Sequence, residues 1–166
     1  MSSTYPSYRP DPNDPNRRRR VVLPEDGSWP VQLRWGFLLI LGTAVLMIAT
    51  GLVQLTGGFP GNPDADYAYI QSYMFNLRFT AVWNITAAVI LALLAAQLRT
   101  GHKLARRWLA AVITLTSMLN LISFLLNVTG FAGILILVLL VLALLLLFRP
   151  SSNAFMDREW EARRNA

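Results

Sequence analysis

Cysteine is absent, histidine occurs once, and charged residues make up only 14% of the 166-residue chain. Without thiols there is no disulfide, no Cys-type metal site and no thiol redox chemistry. A soluble domain carries about 25% charged residues, so this chain lacks the usual material for a water-facing surface. Its nine acidic residues all fall outside the long apolar runs. That removes the paired or embedded carboxylates on which acid–base catalysis and ion-coupled transport depend. No glycine-rich phosphate loop occurs. The lone histidine, His102, lies in a basic segment with no acid nearby in sequence and reads as part of a charge girdle. An enzyme is not expected, and no cofactor or metal is called for.

What the chain has instead is apolar length: 54% of its residues are hydrophobic, gathered in blocks. The expected class is an all-α membrane protein with four transmembrane helices, at about 31–55, 75–98, 108–128 and 131–148. The last block has eighteen residues. At about 1.5 Å per residue these span about 27 Å, just enough to cross. It is nearly free of small or polar residues and is expected to face lipid broadly. The first block is too long for a signal-peptide core, and no Ala-x-Ala site follows it. Trp29 and Trp35 bracket its entry and suit an interfacial belt, and Arg34 can snorkel.

Residues 1–30 form a proline-rich polar tail, expected to be disordered, ending in the basic cluster Arg17, Arg18, Arg19 and Arg20. The loop after the first block, Thr56–Asp66, is broken by glycine and proline. Asn62 is placed to cap a short interfacial helix that starts at Pro63 and runs into the second block. Tyr67, Tyr69 and Tyr73 would stand at that interface as outer-loop contacts, with Arg78 snorkelling to headgroups or pairing with Asp64 or Asp66. Asn62, Asp64 and Asp66 have the spacing of a calcium loop. Tyr67 and Tyr73 occupy the positions that need glycine and the closing acid, so calcium is not expected. Residues 149–166 form a basic tail. In it Ser152 or Asn153 caps a short amphipathic helix from Ala154 to Arg164, with Phe155, Met156 and Trp160 on the membrane surface.

Charge placement sets the orientation. Four spans put both termini and the link Arg99–Arg107 on one side, and fourteen of the fifteen Lys and Arg residues lie there. Arg78 is the exception. Both termini are therefore expected in the cytoplasm, with the chain in the inner (plasma) membrane. Arg17–Arg20, Arg99, Lys103, Arg106 and Arg107 would meet anionic phospholipid headgroups. The net charge of +6 flanks apolar blocks, which points to lipid and topology rather than nucleic acid.

The second and third blocks form a hairpin that carries most of the polar residues at membrane depth. Thr116, Asn120, Ser123 and Asn127 recur at spacings of four, three and four, a narrow stripe on one helix face. Asn76, Thr80 and Asn84 recur every four on the other arm, and Ala88, Ala92 and Ala96 continue the row. Counting from Lys103 as the turn, Asn84 falls level with Asn120, Thr80 with Ser123 and Asn76 with Asn127. A ladder of interhelical hydrogen bonds follows, acting as glue or lining a small polar pathway. Asn84-Ile-Thr86 and Asn127-Val-Thr129 match the glycosylation pattern, but their depth makes neither an acceptor.

The proline- and tyrosine-rich tail, the link Leu98-Arg-Thr-Gly-His-Lys-Leu-Ala-Arg-Arg-Trp108 and the ending Leu147-Phe-Arg-Pro-Ser-Ser-Asn-Ala-Phe155 resemble small four-helix inner-membrane proteins of actinobacteria. The likeness runs from about Arg34 to Phe155. It implies an accessory subunit of a larger membrane assembly. The cytochrome bcc–aa3 respiratory supercomplex and the mycolate-envelope export machinery are the two candidates, and other integral membrane proteins are the implied partners. The chain departs from small multidrug transporters, which need an embedded glutamate, and from quinone-linked thiol oxidoreductases, which need cysteines. A non-catalytic structural subunit is the leading expectation. A small homo-oligomeric transporter or lipid-handling protein is the alternative, and it requires a cavity beside Thr116, Asn120 and Ser123.

Overall fold

The computed structural model describes residues 29–98, 103–152 and 154–155. Arg17–Arg20, Arg99, His102 and the tail beyond Phe155 lie outside the described residues. Four α-helices follow one another: α1 (Val31–Thr56), α2 (Tyr67–Leu98), α3 (Lys103–Leu125) and α4 (Phe131–Leu147), with no strand among the described residues.

The buried residues explain why the helices assemble. On α1 they are Leu33, Gly36, Ile40, Thr43 with Ala44, Met47 and Gly51. On α4 they are Gly133, Ile136, Leu140, Ala143 and Leu147. The intervals alternate between three and four, and α2 and α3 repeat them through Leu77, Thr80, Asn84, Ala88, Leu91, Ala95 and Leu98 and through Leu109, Ile113, Thr116, Asn120 and Ser123. This seven-residue recurrence lets neighbouring helices keep one seam in contact along their length. α1 packs on α2 and α4, α2 on α3, and α3 on α4, closing a four-helix ring.

The helices run up, down, up and down. Asn84 pairs with Asn120 while Thr80 pairs with Ser123, so α2 and α3 are antiparallel. Gln32 meets Ser151, Trp29 meets Phe155, and Arg106 lies over Phe148. The start of α1, the start of α3 and the end of α4 therefore share one end of the bundle, here the terminal end. The turns at 57–66 and 126–130 share the other, the loop end.

The outward faces are apolar. Val45, Val53, Phe75, Leu93, Leu125, Phe131 and Leu145 are all more than 60% exposed. Contiguous apolar surface on this scale is foreign to a water-soluble monomer. Three helices are long and apolar enough to cross a membrane, and α4 is an apolar helix of 17 residues. This is the architecture of a membrane protein.

Several boundaries differ from those expected. No separate helix starts at Pro63. The Asn62 side chain instead accepts the Asp64 N–H and its carbonyl accepts the Ala65 N–H, which makes a turn. Asp66 is the cap of α2, its carboxylate accepting the Ala68 N–H at 3.2 Å. From there α2 runs 32 residues without interruption, absorbing the expected interfacial helix. α3 starts at Lys103, five residues before the expected Trp108, and stops at Leu125, three before the expected Val128.

α4 leaves a broad face exposed, as expected, through Leu135, Val138, Val141, Leu142 and Leu145, while its other face packs on α1 and α3. Two expectations near the terminal end are corrected. Residues 150–152 are already helical, so Ser152 is not a cap that precedes a later helix. Its hydroxyl donates to the Leu146 carbonyl at 3.1 Å and closes off the end of α4. Phe155 is buried against Trp29 rather than lying on the membrane surface, and Trp29 in turn meets Phe37 edge-on.

Candidate functional site: a paired polar seam

Asn84 and Asn120 lie at facing seam positions of α2 and α3 and are 0% and 1% exposed. The Asn120 Nδ2 donates to the Asn84 Oδ1 at 2.9 Å, and the Asn84 Nδ2 returns a longer bond to the Asn120 Oδ1 at 3.4 Å. Asn120 also donates to the Thr116 carbonyl of its own helix at 2.9 Å. One turn toward the loop end, the hydroxyls of Thr80 and Ser123 share a hydrogen bond of 2.9 Å. On the other side, the Trp83 indole N–H donates to the Thr116 hydroxyl at 3.3 Å.

Thr80, Asn84, Thr116, Asn120 and Ser123 are all buried and Trp83 is half-buried, and each satisfies a partner directly. That is what an apolar surrounding demands of an amide or hydroxyl. On α1 threonine behaves differently: the hydroxyls of buried Thr43 and half-buried Thr50 turn back to carbonyls of their own helix. In the α2–α3 seam the side chains bond one another across the helix interface, and these pairings set the two helices level.

The seam covers less of the expected row than the spacing allows. Asn127 is exposed and has a positive φ of 54°. The Val128 N–H reaches back to the Ser123 carbonyl and the Asn127 N–H to the Phe124 carbonyl, the two bonds of a Schellman cap. Asn127 thus ends α3, and asparagine tolerates the left-handed backbone that this requires. With the helix finished, nothing is level with Asn76, which is half-buried and makes no bond to Asn127. Trp83 is the member that spacing did not find. A search for small polar side chains passes over an indole, although its N–H is a donor that needs a partner when buried.

The other expected positions are spread around the bundle. Tyr69 and Tyr73 hold Phe59 edge-on at 5.8 and 5.3 Å, and Tyr67 is exposed. Arg78 is exposed and makes no ion pair with Asp64 or Asp66. Arg106 is half-buried with its guanidinium 5.1 Å from the Phe148 ring centre, and Arg107 is exposed. Lys103 opens α3. No group of three or more potential metal ligands occurs among the described residues.

Polar atoms in the core concentrate toward the loop end. The hydroxyl of Thr129 is buried without a hydrogen-bond partner, packed where a Gly133 Cβ would otherwise stand 2.7 Å away. The half of the core toward the terminal end is apolar, built from Leu33, Ile40, Leu91, Leu98, Leu109, Leu140 and Leu147.

No family model matches the chain, and neither a curated protein nor a solved structure matches it.

Proposed function

We propose that this chain is a non-catalytic accessory subunit that docks through its outer helical faces onto a larger inner-membrane complex. The carrying observation is the reciprocal Asn84–Asn120 pair. The amides that a transport pathway would offer to a solute are turned on one another, and Thr80, Ser123 and Thr116 are occupied in the same way. A seam of this kind holds a hairpin rigid and presents its outer faces in a fixed arrangement. It disfavours the homo-oligomeric transporter or lipid-handling reading, which needs space beside those side chains.

In this reading all four helices cross the membrane, with the terminal end in the cytoplasm beside the basic link and tails. The partner is another integral membrane protein. A tag on the C-terminus, mild detergent extraction and mass spectrometry of the co-purified proteins test the proposal. Stoichiometric recovery of one large membrane complex is expected. Recovery of this chain alone, as a defined oligomer, would overturn it.

A further inference from the structure

α2 is longer than the bundle it belongs to, and its one cation stands where the surplus begins. Leu98 lies twenty positions beyond Arg78, about 30 Å of helix, the thickness of a bilayer's hydrocarbon core. With Leu98 at the boundary beside the basic link, Arg78 reaches the opposite boundary, where lipid phosphates lie. This depth rests on the membrane placement proposed above.

The surroundings of Arg78 are those of a chain-and-headgroup site. Leu77, Thr80, Ala81 and Asn84 face the core, so Arg78 faces out. A shallow groove on that outer face is lined by Gln71, Met74, Phe75, Arg78, Phe79 and Val82. Phe75 and Phe79 stack at 6.4 Å and nearly parallel, yet they are 69% and 50% exposed. On the membrane side of Arg78 the groove is lined by Phe79 and Val82, and on the loop side by Gln71, Met74 and Phe75. No carboxylate among the described residues pairs with the guanidinium.

We infer that Arg78 and the Phe75–Phe79–Val82 face bind an anionic phospholipid of the loop-end leaflet. The phosphate would lie on the guanidinium, a fork of donors suited to it, with the Phe75 ring at the headgroup level, and one acyl chain would run along Phe79 toward Val82. Charge complementarity selects the occupant. A guanidinium flush with the headgroups and lacking a protein carboxylate takes its counter-charge from the lipid, and the apolar strip below it suits a chain.

The absence of cysteine makes the test direct, because a Val82→Cys variant has one thiol. Label it with a small fluorophore and reconstitute the full chain in phosphatidylcholine vesicles with a minority of phosphatidylglycerol. The bromine quencher is then placed on the acyl chains of one lipid or the other. Brominated phosphatidylglycerol should quench roughly five-fold more per mole than brominated phosphatidylcholine, the preference one basic residue gives near a membrane surface. Arg78→Gln should bring the ratio to about one, and Arg78→Lys should retain most of it. Equal quenching by the two lipids in the parent protein overturns the site and is the result expected if a protein covers this face. A preference that survives Arg78→Gln also overturns it. Failure of both lipids to quench at all would instead bring down the membrane placement beneath it.

Discussion

Asn84 and Asn120 each donate an amide proton to the other across the α2–α3 interface, in a layer with no other amide pair among the described residues. Asn84 sits in the series Leu77, Asn84, Leu91 and Leu98, so one polar residue interrupts a leucine seam at seven-residue spacing. A single asparagine at such a position specifies register more than it adds stability. Interhelical hydrogen bonds in membranes contribute about 0.6 kcal/mol on average, up to about 1.7, and the cost of leaving one amide alone is greater than the gain from pairing both.

The first prediction follows from that asymmetry. Asn84→Leu leaves the Asn120 Oδ1 without a donor in an apolar layer, its Nδ2 keeping the Thr116 carbonyl, and should destabilise the solubilised protein by about 1–2 kcal/mol. Asn84→Leu with Asn120→Leu removes both amides and should cost less than the single change. Unfolding in mixed micelles with increasing denaturing detergent gives the comparison. A double variant weaker than either single one would mean that the pair is not acting as a unit.

A second prediction concerns the α1–α2 contact. A Cβ on Gly51 would sit 2.7 Å from the Ile85 Cγ1 and 3.0 Å from the Ala81 carbonyl oxygen. The isoleucine can rotate away, but the backbone oxygen cannot. Gly51→Leu should destabilise by about 1–3 kcal/mol, the usual range for overpacking. Gly42, with open space around its Cβ direction, is the control: Gly42→Leu should leave the thermal midpoint of the solubilised protein unchanged. Equal losses at the two positions would mean that the close approach of α2 at Gly51 does not set the effect, since helix propensity alone would favour leucine at both.

Asn127 separates a capping role from a seam role. Its positive φ costs a β-branched residue of order 1–2 kcal/mol and costs glycine nothing. Asn127→Gly should be neutral or slightly stabilising, whereas Asn127→Val should be destabilising. A residue that served the polar ladder would show the reverse order for glycine, because glycine removes the amide. Thermal stability of the two variants decides the matter.

The same residue shows where sequence reading stopped. An asparagine that continues a four-three-four polar row reads as the next rung. It reads equally well as a left-handed cap, and only the end of α3 at Leu125 separates the two. Asn62 and Asp66 posed a similar choice, since both can cap and a proline follows the first. Asn62 spends its side chain on the turn to Asp64, leaving the cap to Asp66. α1 was legible to within a residue, because polar loop chemistry bounds an uninterrupted apolar run. The Thr80–Ser123 and Asn84–Asn120 register was legible because polar residues inside such runs are few and their helical spacing is unambiguous. The seat of α4 was not, because a helix that is apolar all round offers no polar spacing to match against α1 or α3.

The last prediction addresses α4, the shortest helix. Its 17 residues give about 26 Å, somewhat less than a typical hydrocarbon core of about 30 Å. Local thinning, or the polar ends reaching outward, can cover such a difference at a modest cost. Packing favours crossing: α4 lies along α1 from Gly36 onward and along α3. Its end meets the start of α1 through the Ser151–Gln32 contact. The cysteine-free chain allows single thiols at Gly58, which is exposed in the loop after α1, and at Ala166. In intact cells an impermeant maleimide should label Gly58→Cys and should reach Ala166→Cys only after the membrane is opened. Labelling of both from outside would mean that α4 does not cross. Labelling of Ala166→Cys but not of Gly58→Cys from outside would put the loop end in the cytoplasm and reverse the orientation derived from the basic residues.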